Sequence, residues 1–226
     1  METIINPHDK LFRETWSNRE TAQDFLRQYL PREILRRMKL DTLKIAKDSF
    51  VDQELRDYFS DVLYKVKFKG RNGYVYLLFE HKSYPDRLIH LQLLEYMLKI
   101  WRLYLKQQRR KHAAKRLPII LPIVLYHGPQ DWTAIFSFAE MFVGPREMLK
   151  GYIPDFHYLL YDLSDYADDE IKGLVLTRVV LLLFKHIRDP DIGQRLPNIL
   201  ALLRTLLEQE NGLRCLETVL RYVAST

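Results

Sequence analysis

Residues 60–82 read SDVLYKVKFKGRNGYVYLLFEHK, and the fold depends on how this stretch pairs with itself. Ser60–Phe68 and Tyr74–Lys82 are rich in β-branched and aromatic residues, which suit a pleated, half-buried strand. Between them lies KGRNG. Asn72-Gly73 is the strongest short hairpin signal, and Gly70 offers a second turn position. Strand side chains alternate between two faces. One face of the first run carries Val62, Tyr64, Val66 and Phe68, the other Asp61, Leu63, Lys65 and Lys67. One face of the second carries Val75, Leu77, Phe79 and His81, the other Tyr74, Tyr76, Leu78, Glu80 and Lys82. A loop of even length pairs odd positions with even ones, so the two apolar sets fall on one side. Burial of that side fixes the register parity, and Asp61, Glu80 and Lys82 are left together on the opposite face.

That juxtaposition is chemical. Glu80 and Lys82 lie about 6.6 Å apart along the strand, and a neighbouring strand is about 4.8 Å away, so Asp61 reaches the same small volume. Two carboxylates this close raise one pKa unless a cation sits between them. A hard divalent cation held by carboxylates, waters and a phosphate satisfies the pair. A lysine beside it can polarise the attacking water or neutralise charge developing on phosphorus. The following segment, Leu88 to about His112, reads as a long amphipathic helix with Leu91, Leu94, Leu98, Trp101 and Leu105 as its buried stripe. Gln92 and Tyr96 stand four residues apart on another face of it, where they can position a nucleic-acid strand or the lysine.

The rest of the chain frames this unit. Asn6-Pro7 starts a first helix, with Asp9 in its first turn, and a second runs from Arg19 to Tyr29. Asp41–Lys47 alternates as a strand, Val51–Tyr58 suits a short helical turn, and Ile119–Tyr126 has the length and continuous apolarity of a central strand. Phe156–Asp162 is a further strand. Helices are expected over about 169–187, 192–209 and 213–223. The order predicts an α/β protein: a mixed sheet flanked by helices, with a helical C-terminal third. The division expected is a core over residues 1–165 and a helical extension over 166–226.

The 226 residues are 47% hydrophobic and 28% charged, which excludes a disordered or low-complexity chain. The single Cys215 excludes a disulfide framework, and no His or Cys spacing suits zinc. There is no GxxxxGK[ST], GxGxxG or GxSxG motif. No signal-peptide h-region or membrane-length apolar run is present, which leads us to expect a cytoplasmic protein without membrane association. The net charge of +6 divides into +10 over residues 1–116 and −4 over 117–226. Seven Lys or Arg and no acid lie between Arg102 and Arg116. A basic half points to a polyanionic partner on one side, with Arg102, Lys106, Arg109, Arg110 and Lys111 as candidate phosphate contacts. The acids Asp162, Asp165, Asp168, Asp169 and Glu170 suit a loop and a helix N-terminus, and Cys215, among leucines, suits the core.

Asp61, Glu80-His81-Lys82 and Gln92-x-x-x-Tyr96 together resemble the PD-(D/E)XK nuclease superfamily, including its RecB-like QxxxY variant. More specifically, the chain resembles the Rpn family of recombination-promoting nucleases, also called YhgA-like transposases. The stretches that carry this are Pro7–Phe12, Ser49–Asp52, Ser60–Tyr64, Leu78–Ser83 and Pro122–Gly128, so the resemblance covers roughly residues 5–165. It implies a restriction-endonuclease-like PD-(D/E)XK core and a metal-dependent DNA endonuclease using Mg²⁺ or Mn²⁺, tied to recombination or transposition. Asp61 and Glu80 would be the metal ligands and Lys82 the catalytic lysine. Gln92 and Tyr96 carry over as the superfamily's helix motif. The superfamily's proline is replaced by Ser60. His8 and Asp9 belong to the resemblance; Asp9 is either a further acidic ligand or a complement to the helix N-terminus. The rival readings are a non-catalytic nucleic-acid-binding protein and a protein-interaction module that keep the nuclease fold. A homodimer would suit cutting of both strands.

Overall fold

The structure, a computed structural model, describes residues 7–45, 62–69, 74–109, 116–206 and 212–225. Its centre is a five-stranded mixed sheet in the order β1-β2-β3-β4-β5, formed by Met38–Ile45, Val62–Phe68, Tyr74–Lys82, Ile119–Tyr126 and Leu159–Asp162. The hairpin parity holds. β2 and β3 are antiparallel, with Val62 opposite Phe79 and Tyr64 opposite Leu77. β1 is antiparallel to β2, and their register slips between Lys39 and Lys44. Thr42 stitches that irregularity, donating to the Lys39 carbonyl and accepting from the Lys67 amide. β4 runs parallel to β3, with Glu80 beside Val124 and Lys82 beside Tyr126, and β5 runs parallel to β4. β3 therefore has a neighbour on each side.

Helices cover both faces. On one side lie α1 (Pro7–Trp16), α2 (Arg19–Tyr29) and α6 (Val175–His186), with the short α3 (Arg32–Leu35) leading into β1. Asn18 caps α2 by accepting from the Glu20 and Thr21 amides. Phe12, Trp16 and Phe25 meet Phe79 at ring distances of 4.8–5.5 Å, and the Tyr64 hydroxyl donates to the Trp16 carbonyl. The apolar residues of α6 enter the same core, as do Val219 and Tyr222 of α8 (Gly212–Ser225). On the other face lies α4 (Ile89–Arg109), the crossover between β3 and β4, packed on Ile120, Val124 and Tyr158. The connection from β4 to β5 contains the one-turn α5 (Arg146–Leu149), and α7 (Ile192–Ala201) follows α6. Among the described residues, no helix is long and apolar enough to cross a membrane.

Several sequence expectations are corrected. The buried stripe of α4 is Ile89, Leu93, Tyr96, Met97, Ile100 and Leu103, whereas Leu91, Leu98 and Leu105 are exposed. The helix has two apolar rows, and the one that starts at Ile89 meets the sheet. β1 starts three residues earlier than the Asp41 boundary, and β5 starts at Leu159 rather than Phe156. The helix expected at 169–187 begins at Val175, after Gly173 at a φ of +121°. The one expected over 192–209 changes at Leu202 into a 3₁₀ segment, downstream of Pro197, which lacks an amide donor. The expected turns at Val51–Tyr58, Gly70 and Asn72-Gly73 lie outside the described residues.

Candidate active site

β3 ends by sending Glu80 and Lys82 to the α4 face and His81 to the opposite one. β4 runs beside this end of β3, with Glu80 next to Val124 and Lys82 next to Tyr126, and the carboxylate and the ammonium are nearly enclosed, at 2% and 8% exposure. Buried charges need partners, and the start of α4 supplies them. Gln92 accepts from Lys82 Nζ through Oε1 at 2.5 Å and donates through Nε2 to Glu80 Oε1 at 2.9 Å. The same Nε2 lies 2.7 Å from the Tyr96 hydroxyl, one helical turn on. Lys82 Nζ is 3.7 Å from Glu80 Oε1. Four of the residues singled out from sequence, Glu80, Lys82, Gln92 and Tyr96, therefore form one hydrogen-bonded group.

Asp86 joins them, and the sequence reading passed over it. Its Oδ2 accepts from Lys82 Nζ at 3.0 Å while its Oδ1 accepts from the Leu88 amide, so the residue that turns the chain into α4 also neutralises the lysine. Burial opposes the charge on Lys82, but the Glu80 and Asp86 carboxylates outweigh it and raise its pKa above the usual lysine value. Lys82 is an ammonium throughout the physiological range. Gly128 lets the chain leaving β4 pass close to this strand end: a Cβ there would meet the Ser83 carbonyl at 2.7 Å and the Tyr126 ring. The His127 amide donates to the Lys82 carbonyl at 3.0 Å.

Asp61 lies outside the described residues. It immediately precedes Val62, whose Cα partner is Phe79, the residue before Glu80. Asp9 goes elsewhere: its Oδ1 is 3.1 Å from His81 Nε2, on the sheet face away from Glu80. There His81 stacks with Phe12 and His127, and His8 meets His127 and the Tyr222 hydroxyl. Among the described residues, no three His, Cys, Asp or Glu side chains are grouped to hold a metal. Glu80 offers hard oxygen donors of the kind Mg²⁺ and Mn²⁺ take. Of the basic arm, Arg102 and Lys106 are exposed on α4 and Arg109 ends it, while Arg110 and Lys111 lie outside the described residues. The expected acidic cluster is structural. Asp162 caps a 3₁₀ turn, and Asp168 pairs with Lys185 and His186.

A family model described as "Putative transposase, YhgA-like" matches residues 6–214. The chain belongs to that family. Among curated relatives, it is 30% identical over 99% of its length to the recombination-promoting nuclease RpnD of Escherichia coli O157:H7, covering 83% of that protein. It is 33% identical over 82% of its length to the recombination-promoting nuclease RpnA of Escherichia coli strain K12. It is 31% identical over 89% of its length to an inactive recombination-promoting nuclease-like protein, RpnE, of the same strain. The chain spans 62% of RpnA and 65% of RpnE. No solved structure matches it.

Proposed function

We propose that this YhgA-like chain is a metal-dependent DNA endonuclease with a PD-(D/E)XK-type site, acting in recombination or transposition. The observation that carries the reading is the contact of Glu80, Lys82, Gln92 and Tyr96 at the end of β3. Relatives named recombination-promoting nucleases support it. In this reading Asp61 and Glu80 hold Mg²⁺ or Mn²⁺, which would supply Lewis acidity and a water of lowered pKa at the scissile phosphate. The chain's own groups do the rest. Lys82, held as an ammonium, lies against the phosphate and offsets the negative charge that grows on its oxygens. Gln92 fixes the separation of Lys82 from Glu80, and Asp86 keeps the ammonium aimed across the strand end. Lys106, Arg109, Arg110 and Lys111 follow the DNA backbone.

The relative named inactive gives a second reading, a DNA-binding protein that keeps the fold without cutting. Supercoiled plasmid separates the two. The nuclease reading expects relaxed or linear product with Mg²⁺ or Mn²⁺ and none with EDTA. Full cutting in EDTA would overturn the metal, and binding without cutting under every metal tried would favour the second reading.

A further inference from the structure

Helix α4 carries an apolar row that its own fold leaves outside. Leu91, Leu98 and Leu105 are 42%, 43% and 37% exposed. They recur every seven residues, about 10.5 Å apart, and so align along one side of the helix. Leu94 and Trp101, partly buried at the edge of the core, complete the alternating three- and four-residue spacing of a coiled-coil seam. We propose that the chain forms a two-fold homodimer in which α4 pairs antiparallel with α4 of a second copy, centred on Leu98. The proposal does not depend on the nuclease reading.

The occupant follows from symmetry and charge. Reversing the row about Leu98 lays Leu91 on Leu105, so the seam complements itself. Glu95 and Arg102 are both exposed. Each follows a row leucine by four residues, which puts them on the same flank. In an antiparallel pair centred on Leu98, that flank stays on one side of both helices. Arg102, four residues past the centre, then lies level with the residue four before the centre in the second copy, within about 1.5 Å of its Glu95 along the axis. Two opposite-charge pairs close the seam. A parallel pair carries the flanks to opposite sides and matches neither charge, and flanking charges are what set orientation in such seams. On this reading Arg102 belongs to the dimer rather than to the phosphate arm.

Sedimentation equilibrium of the full chain tests this. A seam this small calls for concentrations of about 1–100 µM. Wild type is expected to be a dimer of the 27.2 kDa chain. Leu98→Glu, which sets two carboxylates against each other on the two-fold axis, is expected to weaken the dimer at least about tenfold. Because Leu98 is exposed, the far-UV CD of that variant should match wild type. Glu95→Arg alone should weaken the dimer, and adding Arg102→Glu should restore it. In a Cys215→Ser background, chains carrying Leu91→Cys and Leu105→Cys should cross-link when mixed. A monomer at the highest concentration, a dimer indifferent to Leu98→Glu, or self-cross-linking of Leu91→Cys alone would each overturn the proposal.

Discussion

Gln92 spends its entire side-chain amide on the site: the oxygen faces Lys82, and the nitrogen faces Glu80 and Tyr96. Its removal leaves a buried carboxylate and a buried ammonium to settle their own distance. Gln92→Ala is expected to lower the cleavage rate by about 10–100-fold, the usual cost of losing a group that orients the reacting ones. Gln92→Glu, which replaces the donor to Glu80 with a further carboxylate, should be no better. Plasmid-relaxation rates at saturating Mg²⁺ check both, and a wild-type rate in Gln92→Ala would deny it a positioning role. Glu80, Lys82, Gln92 and Tyr96 were legible in the sequence because strand alternation and helical four-residue spacing are periodic signals. Asp86 was not, because it sits in Ser83–Leu88, where no period governs which way a side chain points. Asp9 sits in the first turn of α1, where its charge complements the helix N-terminus, and its carboxylate meets His81 rather than Glu80.

The hairpin and α4 show what elements reveal and conceal. Parity alone assigned Val62, Tyr64, Leu77 and Phe79 to the core, and they are fully buried. In α4 periodicity misled, because two apolar rows share one helix and the sequence does not rank them. Ile89, Leu93, Met97 and Ile100 face the sheet, while the leucine row at seven-residue spacing faces outward. The basic end of the same helix has a measurable role. If Lys106, Arg109, Arg110 and Lys111 contact phosphates, DNA affinity falls steeply with salt. Replacing Arg109, Arg110 and Lys111 together by alanine is expected to make the slope of log K against log[salt] shallower by about 2 to 3. Filter binding or anisotropy across a salt series in EDTA reads this directly. An unchanged slope would assign the arm to solvation.

Across the whole molecule, the C-terminal helices join the N-terminal ones under the sheet. Asp24 of α2 accepts from the Leu174 amide and the Thr177 hydroxyl, capping α6 from 150 residues away. Such a long-range cap has no sequence signature, and neither does the histidine cluster beneath β3. There His8 is pushed down to about 4 by burial, Arg188 and His81, with Asp9 opposing, and His127 is lowered in the same direction. Unfolded histidine takes its proton near 6.5. The stability that neutral His8 contributes is therefore full above that pH and drains away as the pH falls toward 4. The Tm is expected to drop between pH 7.5 and 5, and to drop less in His8→Gln, whose amide can still hydrogen-bond the Tyr222 hydroxyl. Identical profiles would remove His8 from the acid response. The central claim is that the buried group around Lys82 cuts DNA. Its most direct test is the Mg²⁺-dependent rate on supercoiled plasmid for Glu80→Ala and Lys82→Ala beside wild type, with binding measured in EDTA. Each variant is expected to lose about 10²–10³ in rate or more, and Glu80→Ala should bind DNA at least as well as wild type. Cutting at the wild-type rate by either variant would contradict the account.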